Sequence, residues 1–299
     1  MIKAFITGLL LLSLAARAQQ SAPTKVILLG IAQDGGIPHI GCDKEICRTQ
    51  KHFVSSLAIV QNQSVYLIDA SPDLREQHHE LVRKYPDLNV KNLFNGIFLT
   101  HAHMGHYAGL LYLGKESVST SQTPVYCSQE MGSYLKKNAP WSLLVDHGNI
   151  VVRNFTSNQS LDLGFRITPL PVPHRKEFTD TYGFLIQGGR KSLLYIPDID
   201  SWEPVKESLK AWLNKADYAL LDGTFYSGKE LPGRDMTKVP HPTIEHSLEF
   251  FKKMPDFRAQ IFFTHLNHTN PVLNAGSEEA KSVTNAGYNV AVDWQEFTL

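Results

Sequence analysis

The chain has 299 residues, 42% of them hydrophobic and 19% charged. This length and composition allow a full hydrophobic core and exclude an intrinsically disordered protein. Its 29 basic residues balance its 29 acidic residues, so no net charge draws it to nucleic acid or to an anionic membrane. We therefore expect a small-molecule substrate as its partner and no nucleic acid, whereas the sequence indicates no oligomeric state.

Residues 1–18 have the pattern of a secretory signal peptide. Lys3 precedes an apolar stretch, and Ala16-Arg17-Ala18 offers small residues at which a signal peptidase could cut. The apolar stretch is shorter than the roughly 20 residues that a membrane helix needs, and a buried first helix is the alternative. We expect a single domain at residues 24–299, no membrane contact after signal cleavage, and a periplasmic or secreted location.

The predicted elements of the first half begin with β-structure. "KVILLGIAQDGG" predicts a buried strand that ends in a tight glycine turn, and "SSLAIVQNQSVYLIDASPDLREQ" predicts two strands joined near Asn62. "DLREQHHELVRKY" has helical spacing of its apolar residues. "NGIFLTHAHMGHYAGLLYLG" predicts a strand that runs through three histidines into a helix.

The second half alternates strands and helices in the same way. The predicted strands are "FRITPLPVPHRK", "TYGFLIQGG", "SLLYIPDID", "DYALLDGTF" and "AQIFFTHLNH". Helices such as "WEPVKESLKAWLNK" and "TIEHSLEFFKKM" lie between some of them. We expect the two halves to form two mixed sheets around one core.

Acidic and imidazole side chains recur at the C-terminal ends of the apolar runs. Such a residue by itself often caps a turn or lies on the surface. Ligands of open α/β sheets, however, gather at these strand ends. His103 and His106 follow His101 on the chain that leaves one such strand. The residues in such positions are Asp69, His101, His174, Asp198, Asp222 and His265.

The stretch "THAHMGH" resembles the H-x-H-x-D-H signature of the metallo-β-lactamase superfamily. Within that superfamily, "GIAQDGGIPHIGCDKEICR" and "THLNHTNPVL" resemble the branch of the pyrroloquinoline-quinone biosynthesis protein B (PqqB) and its relatives. The resemblance implies an α/β fold, the four-layer αββα sandwich of the metallo-β-lactamase type. It also implies a metal site along one edge of that sandwich.

The same resemblance implies a two-metal arrangement with zinc as the expected metal, in one or two ions, and iron or manganese as alternatives. The first ion would take His101, His103 and His174. The second would take His106 and His265, with Asp198 bridging the two ions. Asp198 and His106 are on this basis predicted to be catalytic.

Gly105 stands where the signature has an aspartate. Loss of an anionic oxygen ligand would weaken the second site, unless another side chain reaches the same place. We consider His268, His241 and Asp222 as substitutes, although each could equally lie outside the ligand shell. Asp69 is expected to orient the histidine loop by hydrogen bonds, since imidazoles bound to metals usually donate their other N–H to a carboxylate or carbonyl.

Three cysteines allow at most one internal pair and leave one thiol. The PqqB relatives commonly carry a C-x-C-x-x-C zinc clip after the glycine turn, whereas this chain has Cys42 and Cys47 with Lys44 in the middle position. A disulfide between the two is one interpretation. A zinc site completed by His39 or His52 is the other.

The complete set of histidines favours an exported metal-dependent hydrolase. A metal-bound hydroxide would attack a phosphodiester, ester or lactam bond. An iron-dependent oxygenase or hydroxylase related to quinone-cofactor biosynthesis is the first alternative. A non-catalytic binding protein on the same fold, which Gly105 favours, is the second.

Overall fold

The computed structural model describes residues 22–88, 93–231, 233–254 and 256–299. The predicted signal peptide, residues 1–18, lies outside the described residues. Within those ranges, no helix is long and apolar enough to span a bilayer.

The first sheet has an antiparallel half and a parallel half. Its spatial order is β14-β1-β2-β3-β4-β5-β6, with antiparallel pairs from β14 to β3 and parallel pairs from β3 to β6. Its described strands, numbered along the chain, are β1 (Lys25–Gly30), β2 (Ser56–Gln61), β3 (Ser64–Ile68), β4 (Gly96–Phe98), β5 (Thr123–Cys127), β6 (Ile150–Asn154) and β14 (Glu296–Thr298).

The second sheet repeats this division. Its spatial order is β13-β12-β11-β10-β9-β8-β7, parallel from β13 to β10 and antiparallel from β10 to β7. Its described strands are β7 (Leu161–Asp162), β8 (Arg166–Val172), β9 (Thr181–Gln187), β10 (Ser192–Ile196), β11 (Tyr218–Asp222), β12 (Gln260–Thr264) and β13 (Asn289–Val290).

Helices connect the strands and cover the sheets. Short 3₁₀ segments at 108–113, 203–205, 236–238 and 271–273 complete the connections. The described α-helices are α1 (Glu45–Thr49), α2 (Leu74–Lys84), α3 (Met104–Tyr107), α4 (Gln129–Lys137), α5 (Trp141–Asp146), α6 (Lys206–Lys215), α7 (Ile244–Lys252) and α8 (Glu278–Asn285).

The apolar run of β1 is continuous because both of its faces are buried. Val26 and Leu28 join the core that also contains the second sheet and helices α6, α7 and α8. Ile27 and Leu29 join a separate core with α2, α4 and α5. Successive side chains of a strand point to opposite faces, so the first sheet lies between the second sheet and its own helices. The predicted four-layer α/β sandwich is confirmed.

The segment after β1 joins the two halves of the molecule. Ala32 forms isolated β-bridges with Val54 and with Leu266, and Ile37 forms one with His52. Further along, Cys42 forms a disulfide with Cys47, which lies in α1, whereas Cys127 is a free, buried thiol. Of the two interpretations of the cysteine pair, the structure has the disulfide.

Candidate metal centre

Five parallel strands deliver polar side chains to one edge of the two sheets. Asp69 follows β3, and His101 lies three residues beyond β4. Asp198 lies two residues beyond β10, Asp222 ends β11, and His265 follows β12. The carboxyl ends of parallel strands meet at a common edge, so this placement follows from the topology. Asp69 and His265 have positive φ values of 66° and 61°, a conformation that turns the chain sharply where each strand ends.

The first group of ligand atoms consists of His101 Nε2, His103 Nδ1, His174 Nε2 and the carboxylate of Asp198. His103 Nδ1 lies 2.7 Å from His101 Nε2 and 3.2 Å from His174 Nε2. Asp198 lies 3.3 Å from each of the other two imidazole nitrogens. Ligand atoms around one tetrahedral zinc ion, with bonds of 2.0–2.1 Å, are roughly 3.3 Å apart. These four residues therefore fit the spacing of one zinc site.

The second group consists of Asp34, His106 and His265. His106 Nε2 lies 3.4 Å from Asp34 Oδ1 and 3.6 Å from Asp198 Oδ2. His265 Nε2 lies 3.9 Å from Asp34 Oδ1. Asp198 directs one oxygen toward His174 and the other toward His101 and His106, so its carboxylate lies between the two groups.

Two threonines hold imidazoles of the two groups in the same way. His101 Nδ1 donates to Thr100 Oγ1 at 3.0 Å, and this hydroxyl donates to Asp69 at 3.0 Å. His265 Nδ1 donates to Thr224 Oγ1 at 2.9 Å. That hydroxyl in turn donates to Asp222 Oδ1 at 2.8 Å. Each arrangement fixes the hydrogen on Nδ1 and leaves the Nε2 lone pair for a metal.

Carboxylates hold the other three imidazoles. His106 Nδ1 donates to Asp69 Oδ2 at 2.7 Å and His174 Nδ1 to Asp200 Oδ1 at 2.8 Å. His103 uses the opposite nitrogen, because its Nε2 donates to Glu177 Oε2 at 2.7 Å. In every case the remaining nitrogen is the one that points into its group. Such partners orient ligand rings and raise their basicity.

The electrostatics of the site favour a neutral His101, an ionised Asp198 and a positive charge among the carboxylates. Burial, together with the charge of His106, lowers the pKa of His101 well below its ordinary value, which keeps the ring neutral. Burial alone would raise the pKa of Asp198, but the surrounding histidines hold it well below its usual range. Burial alone would likewise lower the pKa of His106, but Asp69, Asp198 and Asp34 raise it well above its ordinary value. A metal cation would satisfy the same three carboxylates.

His241 and Asp222 lie beside the two groups, and a ring nitrogen of His241 lies within 4.8 Å of ligand atoms of Asp198 and His265, so these three residues form a further group that could hold a metal. His241 Nδ1 is 2.9 Å from Asp222 Oδ2 and 3.2 Å from Asp198 Oδ1. Burial alone would lower the pKa of His241, but the charges of Asp222 and Asp198 raise it to about 9. Asp222 also accepts hydrogen bonds from the backbone amides of Ile199 and Thr224, so its role in the structure is to hold its neighbours. His268 stacks on His39 with ring centroids 4.3 Å apart.

The space beside Gly105 is occupied by Asp34. A Cβ atom at position 105 would lie 2.1 Å from Asp34 Oδ1, 2.8 Å from its Cα and 3.0 Å from its Cγ. Sequence analysis considered His268, His241 and Asp222 for this place and interpreted "GIAQDGG" only as a turn. The turn is present, and it also carries an acidic side chain into the site.

Buried polar atoms without hydrogen-bond partners test whether these residues fit a metal. Among the described residues, Asp34 Oδ1, His106 Nε2, His265 Nε2 and both carboxylate oxygens of Asp198 are buried atoms of this kind. A buried polar atom without a partner costs about 1–3 kcal/mol. Five such atoms converging on one place are an unfavourable arrangement for a protein alone, and these nitrogen and oxygen atoms fit the donor set of a divalent metal ion.

A cavity of about 860 Å³ adjoins the site. His241, Thr224, His39, His268 and Arg175 are among its lining residues. Another cavity, of about 930 Å³, is lined by residues such as Thr24, Lys191 and Leu299 and contains none of the histidines or carboxylates of the two groups. The first cavity is therefore the one from which a small molecule could reach them.

Comparison with known proteins shows the family to which the chain belongs. Residues 65–266 match the family described as the β-lactamase superfamily domain. The chain belongs to this superfamily. A coenzyme PQQ synthesis protein B of Methylococcus capsulatus is 28% identical, and the alignment covers 91% of this chain and 99% of that protein. The predicted resemblance to the PqqB branch is thereby confirmed.

Two solved structures of superfamily proteins have the same fold. The Zn²⁺-bound PqqB from Methylobacterium extorquens is 25% identical, with a TM-score of 0.78 over 92% of this chain and all of that one. A diphosphatase from the PhnP family is 21% identical, with a TM-score of 0.67 over 93% and 98% of the two chains. The second comparison shows the fold alone.

Sequence reasoning did not identify all the residues of the candidate metal centre. Asp34, Glu177 and Asp200 were not predicted, and neither were Thr100 and Thr224. The two threonines directly precede or closely follow residues that were predicted, so their spacing was a usable signal. Asp200 and Glu177 likewise closely follow the predicted Asp198 and His174, whereas Asp34 is far from every predicted residue in the sequence and is brought to the histidines only by tertiary structure.

Proposed function

We propose that this protein is a metal-dependent hydrolase that uses metal-activated water on a phosphodiester, ester or lactam bond of a small molecule. The observation that carries the proposal is the convergence of His101, His103, His174 and Asp198, whose ligand atoms lie within 4.8 Å of one another. The 25% identical PqqB structure, which is Zn²⁺-bound, supports zinc as the metal. Iron and manganese are alternatives for the same nitrogen and oxygen donors.

A divalent cation at these residues would lower the pKa of water toward about 7 and polarise the oxygen of the bond under attack. Asp198 would hold the two ligand groups at a fixed separation, since its two oxygens face different imidazoles. Glu177, Asp200 and Asp69 would keep their histidines in the ligand tautomer. The five imidazoles, each held by a hydrogen bond to a carboxylate or a threonine hydroxyl, would form the frame that faces a small substrate.

His241 is the residue we propose as proton donor to the leaving group. It lines the 860 Å³ cavity, and its Nδ1 donates to Asp222, so the proton offered to a substrate would be the one on Nε2. General acid catalysis of this kind contributes about 10²–10⁴-fold. An H241N variant should lose more activity on substrates with poor leaving groups than on nitrophenyl substrates.

The decisive experiment combines chelation with a substrate panel. Protein stripped by a chelator and gel-filtered is assayed on a nitrophenyl phosphodiester, a nitrophenyl ester and a chromogenic cephalosporin, before and after addition of Zn²⁺, Mn²⁺ or Fe²⁺. We expect hydrolysis of one class only, lost on chelation, restored by metal, and abolished in H101A/H103A. Asp43→Ala serves as the control, because Asp43 is an exposed acidic residue that belongs to neither group of ligand atoms.

The same experiment separates the alternatives. Iron as purified, with oxygen consumption and no hydrolysis, would support the oxygenase. Tight metal binding without turnover of any substrate would support the binding protein. Hydrolysis that survives complete metal removal would contradict the proposal.

We also propose that the protein is exported to the periplasm or secreted. The pattern of residues 1–18 and the disulfide between Cys42 and Cys47 support this location, because structural disulfides persist in oxidising compartments. Fractionation of cells and N-terminal sequencing of the mature protein test it. A chain that retains Met1 in the cytoplasm would contradict it.

A further inference from the structure

We propose that Asp34 is the carboxylate ligand of a second metal ion, which His106 and His265 also bind and to which Asp198 bridges. Asp34 would thereby replace, from a different segment of the chain, the aspartate that the superfamily signature has at position 105. This inference deepens the proposed function. A role of the second ion in catalysis rests on that function, whereas binding of the ion does not. The binding of the ion itself can be tested without any substrate.

The first argument is steric. Gly105 lies in helix α3 and is not among the glycines with positive φ, so its backbone conformation does not require glycine. In a helix interior glycine is about 1 kcal/mol less favourable than alanine. The close approach of Asp34, 2.1 Å from a Cβ atom at 105, explains the glycine instead. Position 105 can have a side chain or Asp34 can have its present place, but both together cannot fit.

The second argument is that the backbone fixes the position of Asp34. The neighbouring Gln33 donates its amide hydrogen to Leu266 O at 2.9 Å, and the amide of Leu266 donates to Ile31 O at 2.7 Å. These two bonds place the loop directly beside His265. The turn closes at Gly36, whose φ is +66° and whose amide donates to Gln33 O at 2.8 Å. The carboxylate is therefore presented by a hydrogen-bonded segment and not by a free loop.

The third argument concerns the two oxygens of that carboxylate. Oδ2 accepts a hydrogen bond from Gln33 Nε2 at 3.0 Å. Oδ1 is buried and without a hydrogen-bond partner, at 3.4 Å from His106 Nε2 and 3.9 Å from His265 Nε2. Both of these imidazole nitrogens are themselves buried without a partner, and each ring donates from Nδ1 to another residue. An oxygen and two lone-pair nitrogens at such separations fit around one cation with bonds of about 2.0–2.2 Å.

The test is the number of metal ions per chain. Wild type, D34N, D34A and the control D43A are stripped with chelator, reconstituted with excess Zn²⁺, gel-filtered and analysed for zinc. We expect two ions in wild type and D43A, and one ion in D34N and D34A. Isothermal titration with Zn²⁺ should show the weaker binding step lost or weakened at least about 100-fold, since even partners outside the ligand shell contribute 10–100-fold.

Variants that move the aspartate from position 34 to position 105 test the steric argument at the same time. G105D alone should bind no more than one ion, because its side chain collides with Asp34. D34G/G105D should bind more zinc than G105D, since a glycine at 34 removes the contacts with Oδ1 and Cγ at 2.1 and 3.0 Å. The contact with the Cα of residue 34 at 2.8 Å remains, so we expect partial recovery of the second ion. Circular dichroism and melting of each zinc-loaded variant confirm folding, and D34N, which keeps the side-chain volume, is the decisive variant.

Two ions in D34N and D34A, bound as tightly as in wild type, would overturn the inference. A double variant with no more zinc than D34A would contradict the idea that positions 34 and 105 supply the same ligand. Failure of the proposed function has a different signature, namely two ions in wild type and one in D34N without hydrolysis of any substrate. Hydrolysis by a wild-type protein that holds one ion would retain the function and reject Asp34.

Discussion

Adding one carbon at position 105 should destabilise this protein, although the same change stabilises most helices. The new Cβ atom of G105A would meet Asp34 Oδ1 at 2.1 Å and Asp34 Cα at 2.8 Å. Rotation of the Asp34 side chain relieves the first contact. It cannot relieve the second, because Cα belongs to a loop that is hydrogen-bonded to Leu266.

The magnitude follows from two opposing terms. Overpacking in a close-packed site costs about 1–3 kcal/mol, whereas the helix propensity of alanine over glycine gains at most about 1 kcal/mol. Because the contact at 2.8 Å is with the backbone of residue 34, we use the upper part of the overpacking range, about 2–3 kcal/mol. The expected net loss in the free energy of unfolding is then about 1–2 kcal/mol. D34A/G105A should lose less than the sum of the single variants, because residues in contact couple by about 0.5–3 kcal/mol.

Urea unfolding of chelator-treated proteins measures these values without any contribution from metal. Gly189→Ala is the matched control, because Gly189 is exposed and a Cβ atom there has no neighbour within 4 Å. Its stability should stay within about 0.5 kcal/mol of wild type. A G105A protein that is as stable as wild type would refute the steric reasoning, and with it the explanation of the glycine.

Three further outcomes are expected. E177A, which removes the hydrogen-bond acceptor of His103, should weaken Zn²⁺ binding about 10–100-fold, as competition with a chromogenic chelator would measure. Calorimetry should find the melting temperature of the metal-free protein unchanged. Unchanged Zn²⁺ affinity would mean that Glu177 does not orient the ring. Zn²⁺ at 100 times its dissociation constant should raise the free energy of unfolding by about 2.7 kcal/mol per site. Denaturant titration should find the contributions of both sites in wild type, whereas H101A/H103A should lose the contribution of the first site. C42S/C47S should lose about 2 kcal/mol in the free energy of unfolding relative to wild type. Mild reduction should leave the stability of this variant unchanged. Equal stability of wild type and C42S/C47S would mean that the disulfide does not stabilise the protein.

Much of the fold could be predicted because its strands are buried on both faces. Runs such as Val26–Leu29 are apolar throughout since alternate residues enter different cores, and such runs are visible in a sequence. The elements between residues 123 and 154 were not predicted. Their strands mix apolar and polar residues, because β6 is only partly buried, and α4 and α5 are short.

The histidines of the site could be predicted because several of them follow the ends of apolar strands, and these strand ends meet at one edge of the sheets. Asp34 could not, since its place depends on pairing between the segment after β1 and Leu266, far along the chain. Glu177 reaches His103 from a loop, and no local pattern marks such a contact. Sequence spacing thus predicts candidate ligands that secondary structure positions, whereas candidate ligands that loop packing positions require coordinates.

The exclusion between positions 34 and 105 also constrains how such a protein could arise. An ancestor with an aspartate at 105 could not accept a second one at 34 without crowding, and a glycine at 105 alone would leave the histidines one donor short. The two substitutions therefore have to succeed each other quickly or pass through a weakened intermediate. Searches for proteins with this arrangement should accordingly score positions 34 and 105 as a linked pair, because a filter for the intact histidine–aspartate signature would discard them.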